Sequence, residues 1–191
     1  MPREARFLAQ KVFYHIVSRG NQKQKTFLDK RDYRYFLSLV KKYKKEHKIA
    51  LYGFCLMPNH VHLVVQPSLP ENLSLFMKSL NHGYAQYFNF KYDKCGHLWQ
   101  GRFKSMIIES ENYLFDCIKY VEFNPVRAQL VNTVHNYAWS SCRKRILGVS
   151  EGMLDPIENI FRYKMRDRLD VKKGHTTQKT GTVPTRRGIS I

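Results

Sequence analysis

Two apolar runs separated by a Pro-Asn pair constrain the fold of this chain most strongly. Residues 49–57 (IALYGFCLM) and 60–66 (HVHLVVQ) are rich in β-branched, aromatic and other apolar residues, which is typical of strands. Pro58 sets the backbone angle of the first corner of a tight turn, and Asn59 suits the second corner. The pattern therefore predicts two strands joined as an antiparallel β-hairpin.

The segments around this hairpin predict the rest of the fold. Strands are predicted at 12–20 and 98–110, and amphipathic helices at 30–48, 72–92 and 111–123. Ser110 is placed to cap the third helix, and Pro125 marks its end or the start of a new turn. The order β-α-β-β-α-β-α predicts an α+β fold. Its first six elements match the ferredoxin-like, or RRM-like, antiparallel sheet with helices packed on one side.

The charge of the chain points to an anionic partner. Lys and Arg number 33 against 15 Asp and Glu in 191 residues, a formal net charge of +18, and nucleic acid is the first expectation. No apolar stretch approaches the roughly 20 residues of a spanning helix, and no signal peptide is recognisable, so a cytoplasmic protein is expected. We expect one domain over 1–161. Residues 162–191 hold nine Lys or Arg and two Asp or Glu, which predicts a flexible basic tail.

Two histidines stand out inside the third predicted strand. A strand has a side-chain period of two, so His60 and His62 share one face about 7 Å apart, while Val61, Leu63 and Val65 point into the core. Two imidazoles at that spacing can hold one metal ion. They can equally be ordinary polar residues on a partly exposed sheet face, and the H-x-H spacing alone leaves both interpretations open.

The third predicted helix offers a nucleophile and a further ligand. Tyr120 and Asn124 are four residues apart and hence neighbours on one helical edge. A tyrosine hydroxyl can attack phosphorus and hold it covalently, and an asparagine carbonyl oxygen can complete a metal shell. In the alternative interpretation, Tyr120 packs against the apolar stripe and Asn124 caps a helix that begins at Pro125.

The motifs together carry a family resemblance. MPNHVHLVV (57–65), LWQGRFKS (98–105) and YLFDCIKYVEFNPVRA (113–128) resemble the HUH single-tyrosine transposases, especially the REP-associated tyrosine transposases, over about residues 8 to 147. The resemblance implies the ferredoxin-like fold, His60 and His62 as ligands of Mg²⁺ or Mn²⁺, and Tyr120 as the nucleophile. It also implies Asn124 as the third ligand, where relatives often carry glutamine.

The resemblance also implies an activity. The family nicks single-stranded DNA beside a folded hairpin, joins the tyrosine to the 5′ phosphate and leaves a free 3′ hydroxyl that can rejoin strands. The nitrogen ligands would suit Mn²⁺ better than Mg²⁺. The alternative is a non-catalytic RNA- or DNA-binding module on an RRM-like scaffold. A monomer and a homodimer are both compatible with the sequence.

Further side chains are candidates for DNA contacts. Arg102 and Lys104, at alternate positions of the predicted fourth strand, would share a face and hold phosphates. Trp99 would either stack on an unpaired base or be buried. The lysines of the first helix, notably Lys41, Lys44 and Lys45, are expected on a solvated face that also follows a DNA backbone.

Overall fold

The fold is built on four strands and four helices within the described residues, 12–148 and 152–156, of a computed structural model. The strands are β1 (Phe13–Arg19), β2 (Ile49–Met57), β3 (His60–Pro67) and β4 (Lys104–Ile108). The helices are α1 (Lys30–Glu46), α2 (Pro70–Lys91), α3 (Glu111–Arg127) and the short α4 (Ser141–Ile146). The predicted domain boundary after residue 161 and the predicted basic tail lie outside the described residues.

The strands form one antiparallel sheet in the order β2-β3-β1-β4. Each neighbouring pair is antiparallel, and β3 lies between β1 and β2, which makes the β1-α1-β2 unit a split βαβ. Pro58 and Asn59 form the turn between β2 and β3, with Met57 paired to His60. The predicted hairpin and α+β fold class are therefore confirmed.

Helices cover both faces of the sheet. One face buries Val61, Leu63 and Val65 against α1 and α2, in a core that includes Phe36 and Phe76. The opposite face carries Cys55, Val64 and Ile108, and on it α3 buries Leu114, Ile118 and Val121. The predicted one-sided packing thus describes α1 and α2, whereas α3 lies on the face that carries the histidines.

The fourth strand is shorter than the sequence predicts. Regular pairing begins at Lys104, and residues 98–103 form an irregular segment instead of the predicted strand. Gly101 has a φ of +67°, in the left-handed region that breaks extended structure. The backbone of this segment is held through Gln100, whose N–H donates to the carbonyl of Arg19 at 2.8 Å.

The third helix does not end before Pro125, as the sequence suggests, but continues to Arg127. Proline lacks the N–H that would bind the carbonyl of Val121, four residues earlier. The side-chain amide of Asn124 donates to that carbonyl at 3.4 Å and to the carbonyl of Tyr120 at 2.9 Å. A side chain thus replaces the missing backbone donor, and Asn124 does not cap a new helix.

Lys44 is a core residue and not a member of the solvated lysine face. Its side chain is only 7% exposed, and its ammonium group donates to the carbonyl of Met153 at 3.0 Å and pairs with the carboxylate of Asp155. Asp155 also accepts from the N–H of Leu51 at 2.7 Å. The predicted DNA contact of Lys44 is therefore wrong: this lysine fastens residues 153–155 to the outer edge of β2.

Replacing Lys44 with alanine is expected to lower the free energy of unfolding by about 2 kcal/mol, because it removes a buried charged donor from two oxygen partners. The matched control is Lys45→Ala, an exposed position on the same helix, which should change stability by no more than about 0.5 kcal/mol. Urea unfolding measures both. Equal losses for the two variants would contradict the structural role of Lys44.

Candidate functional site: a histidine pair beside Tyr120

The two predicted histidines lie next to each other on β3. Their ring centroids are 4.9 Å apart, and both side chains are on the sheet face covered by α3, as the strand period predicts. His62 is 5% exposed and His60, the first residue of β3, is half-buried.

The Nδ1 atom of His60 is anchored by its chain neighbour. It lies 2.6 Å from Oδ1 of Asn59, whose Nδ2 donates to the carbonyl of Lys23 at 3.2 Å. An amide oxygen can only accept a hydrogen bond, so Nδ1 of His60 carries the proton. The other ring nitrogen, Nε2, therefore keeps its lone pair.

His62 has a partner that sequence reasoning missed. Its Nδ1 lies 2.9 Å from Nε2 of His15 on β1, and the two rings stack with centroids 5.1 Å apart. Nε2 of His62 is buried and has no hydrogen-bond partner among the described residues. A signal for His15 did exist, because it alternates with the buried core residues Tyr14 and Ile16 and so belongs to the opposite face.

Burial keeps this histidine cluster neutral. It lowers the pKa of His15 to about 4. The pKa of His62 falls to about 3, first through burial and then through the neighbouring His60 and His15. Burial also lowers the pKa of His60, with a smaller effect of Arg19. At neutral pH all three rings are uncharged, which is the form of imidazole that binds metal ions.

Tyr120 projects from α3 onto the same cluster. Its ring centroid lies 5.9 Å from that of His15 and 6.2 Å from that of His62, both in edge-on geometry. The side chain is 43% exposed, so its hydroxyl remains open to a ligand from solvent. The guanidinium carbon of Arg127, an exposed residue two turns further along α3, lies 4.6 Å from the Tyr120 ring centroid.

A buried ion pair fixes α3 in this position. Glu122 is 3% exposed and accepts from the hydroxyl of Ser141 at 2.8 Å and from Nε of Arg145 at 3.2 Å. Arg145 also donates to the carbonyl of Tyr52 at 2.6 Å. These bonds join α3 to α4 and β2, so the helix that carries Tyr120 is held against the sheet that carries the histidines.

A second tyrosine on the same helical edge lies further away. Tyr113 precedes Tyr120 by two turns, about 10 Å along the axis, and is 67% exposed. Both line a cleft of about 490 Å³ between α3 and β4, together with His15, Met106, Ile107, Ile108, Glu109, Asp116 and Cys117. Of these two tyrosines, Tyr120 is the one that contacts the histidines.

Asn124 lies one turn beyond Tyr120 and offers one atom to a ligand. Its Nδ2 is used in the two bonds to the helix backbone, so Oδ1 is the atom of the amide that could bind a cation. In the described part of the chain, no group of three His, Cys, Asp or Glu side chains is arranged around a metal position. A cation held by His60 and His62 would therefore need oxygen ligands from Asn124, water or a substrate.

The basic residues that were predicted to contact DNA lie on different surfaces of the protein. Lys104 pairs with Val17, which in turn pairs with His62, so Lys104 lies on the histidine face of the sheet. Arg102 precedes β4, and the predicted alternate strand positions are therefore wrong for this pair. Lys41 and Lys45 are exposed on α1, which covers the face opposite the histidines.

Arg102 and Trp99 belong to a second cleft. It measures about 620 Å³ and is lined by polar groups of α2 and of the segment before β4, including Asn81, His82, Gln86, Asn89 and His97. Trp99 itself is 8% exposed, packs against Phe36 and Tyr84, and donates from Nε1 to the carbonyl of Asn81 at 3.0 Å. Of the two alternatives for Trp99, the structure supports burial, because its ring is part of the core.

Comparison with known proteins identifies the family. The profile of the IS200-like transposases matches residues 9–124, which include the histidine pair, Tyr120 and Asn124. The chain belongs to this family. The predicted enzyme class, a DNA transposase, and the resemblance to REP-associated tyrosine transposases are thereby confirmed.

Two relatives extend this result. A Haemophilus influenzae protein, provisionally described as a REP-associated tyrosine transposase, is 27% identical in an alignment of 124 positions that covers 58% of this chain and 69% of the relative. A solved REP-associated tyrosine transposase bound to a REP hairpin superimposes with a TM-score of 0.63 at 16% identity, covering 82% of this chain and 93% of the other. That likeness confirms the fold. In the residues that the structure of the present chain describes, no helix is long and apolar enough to cross a membrane.

Proposed function

We propose that this transposase cleaves and rejoins single-stranded DNA beside a hairpin, with Tyr120 as the nucleophile. The carrying observation is that the half-exposed Tyr120 ring lies 6.2 Å from His62 of the same chain, whose Nε2 is buried without a partner among the described residues. A tyrosine and a pair of neutral imidazoles together are suited to phosphoryl transfer. The related structure bound to a REP hairpin supports hairpin DNA as the substrate.

The imidazole pair fits a divalent cation. Each Nδ1 is hydrogen-bonded to a fixed neighbour, Asn59 or His15, which is how metal-ligating histidines are usually oriented. His60 and His62 would supply their Nε2 atoms, and Asn124 its Oδ1. The nitrogen ligands favour Mn²⁺ over Mg²⁺, although both accept the oxygens of a DNA phosphate. When bound, the cation would draw negative charge from the scissile phosphate.

The chain's own residues would perform the transfer. The Tyr120 hydroxyl loses its proton, and its oxygen forms a bond to phosphorus as the bond from phosphorus to the 3′ oxygen breaks. The leaving oxygen takes up a proton and becomes a free 3′ hydroxyl, while the 5′ phosphate stays on the tyrosine. Attack by a 3′ hydroxyl on that ester reverses the exchange, so rejoining needs no external energy source.

Two basic side chains are suited to hold phosphates near the nucleophile. Arg127 lies over the Tyr120 ring, where its guanidinium can bind oxygens of the scissile group. Lys104 lies on the histidine face and would contact a flanking phosphate. Arg102, Lys41 and Lys45 are exposed on other surfaces and would add affinity that does not depend on sequence.

The RRM-like alternative finds less support. An RRM stacks bases on aromatic side chains of an open sheet face. Here α1 and α2 cover one face, and α3 covers much of the other with Leu114, Ile118 and Val121. The sheet therefore lacks the open platform that a non-catalytic module of this kind requires.

Tyr120→Phe should abolish both cleavage and the covalent protein–DNA adduct, because the substitution keeps the ring and removes the attacking oxygen. Hairpin binding should remain, since phosphate contacts elsewhere dominate affinity. Tyr113→Phe is the matched control and should cleave like the wild type. The assay combines gel analysis of cleavage with mass spectrometry of the adduct. An adduct on Tyr113, or cleavage by the Tyr120 variant, would refute the assignment.

Cleavage should depend on a divalent cation bound by the histidine pair. Excess chelator, or His60→Ala, should suppress cleavage with little loss of hairpin binding, and Mn²⁺ should restore the chelated wild type but not the variant. His135→Ala, an exposed position outside the site, controls for loss of an imidazole. Undiminished cleavage in excess chelator would contradict the proposed dependence of cleavage on a divalent cation.

A further inference from the structure

The contact between His15 and His62 has a consequence for the chemistry of the site. Nε2 of His15 and Nδ1 of His62 are 2.9 Å apart, and both side chains are less than 10% exposed. A hydrogen bond between two ring nitrogens requires a hydrogen on one of them and a lone pair on the other. One of the two facing nitrogens therefore donates and the other accepts.

The two possible directions of this hydrogen bond have different effects on His62. If His15 donates, the hydrogen of His62 is on Nε2, where it has no acceptor among the described residues and would exclude a cation. A buried donor without an acceptor destabilises the folded state. If His62 donates from Nδ1, its Nε2 holds a lone pair beside His60, whose Nε2 also holds one.

If His62 donates from Nδ1, both His60 and His62 present an Nε2 lone pair to a ligand. Asn59 accepts from Nδ1 of His60, and His15 accepts from Nδ1 of His62. The two acceptors come from different places in the fold, the hairpin turn and the neighbouring strand β1. His15 uses Nε2 in this contact, so that atom is not available as a third ligand.

We infer that His15 is a positioning residue that accepts the Nδ1 hydrogen of His62 and thereby keeps the Nε2 lone pair of His62 available to a divalent cation. The inference rests on the proposed role of His60 and His62 as cation ligands. Partners of metal-ligating histidines contribute about 10- to 100-fold to metal affinity or activity. Loss of His15 should therefore act on metal binding and on the tautomer of one named ring.

The test uses the full-length protein and two variants. His15→Phe keeps the ring shape and removes the acceptor, whereas His15→Gln places an amide oxygen near the position of Nε2. Nitrogen-15 NMR of the metal-free protein reports which nitrogen of His62 carries the hydrogen. Mn²⁺ titration followed by electron paramagnetic resonance reports affinity, and thermal unfolding shows that the variants are folded. His47→Phe is the matched control, since His47 bonds to Ser79 between α1 and α2.

In the wild type, the hydrogen of His62 should be on Nδ1. His15→Phe should move it to Nε2 and weaken Mn²⁺ binding about 10- to 100-fold, while His15→Gln recovers most of the affinity and His47→Phe changes neither. A wild-type His62 with its hydrogen on Nε2 overturns the inference, even if His15→Phe fails to fold. So does unchanged Mn²⁺ affinity in a folded His15→Phe.

The two proposals can fail separately. If Tyr120→Phe and chelation abolish cleavage but His62 has the other tautomer, only the role of His15 is wrong. If His62 has the expected tautomer and His15→Phe weakens Mn²⁺ binding, but Tyr120→Phe still cleaves, the nucleophile is wrong and the role of His15 stands.

Discussion

The packing of α3 on the sheet brings the two halves of the site together. Leu114, Ile118 and Val121 are buried on the face that carries His60 and His62, and Glu122 fastens the helix through Ser141 and Arg145. The histidines and Tyr120 are about 60 residues apart in the chain, and this contact brings the Tyr120 ring centroid to 6.2 Å from that of His62. A shift of α3 by one turn, about 5 Å, would separate them.

One side of the site is buried, and the other side is exposed to solvent. Burial keeps His15 and His62 neutral, with pKa values lowered to about 4 and about 3, so their nitrogens stay available as hydrogen-bond acceptors and ligands. Tyr120 and Arg127 lie on the open side, where a strand of DNA can approach. In the proposed function, His62 would help to hold a cation on the buried side, and Tyr120 would meet the DNA on the exposed side.

Local patterns predicted most of the fold. The alternation around His60 and the Pro58-Asn59 turn gave the hairpin and the shared face of the histidines, because a strand has a period of two. The same patterns could not predict His15 as a partner of His62, since that contact depends on the register between β1 and β3. Nor does a lysine-rich helix show that Lys44 turns inward to Asp155, a residue more than 100 positions later. The helix continues past Pro125, against the prediction, because the side chain of Asn124 supplies the hydrogen-bond donor that proline lacks.

Complementation between two inactive variants tests whether one chain supplies the whole site. In the structure, Tyr120 lies beside the histidines of its own chain, so we expect both parts of the site to come from one molecule. Tyr120→Phe and His62→Ala proteins, each inactive alone, are mixed at equal concentration, and hairpin DNA cleavage is measured. We expect the mixture to stay inactive. Recovery of cleavage in the mixture would show that one chain's tyrosine works with another chain's histidines and would contradict the account.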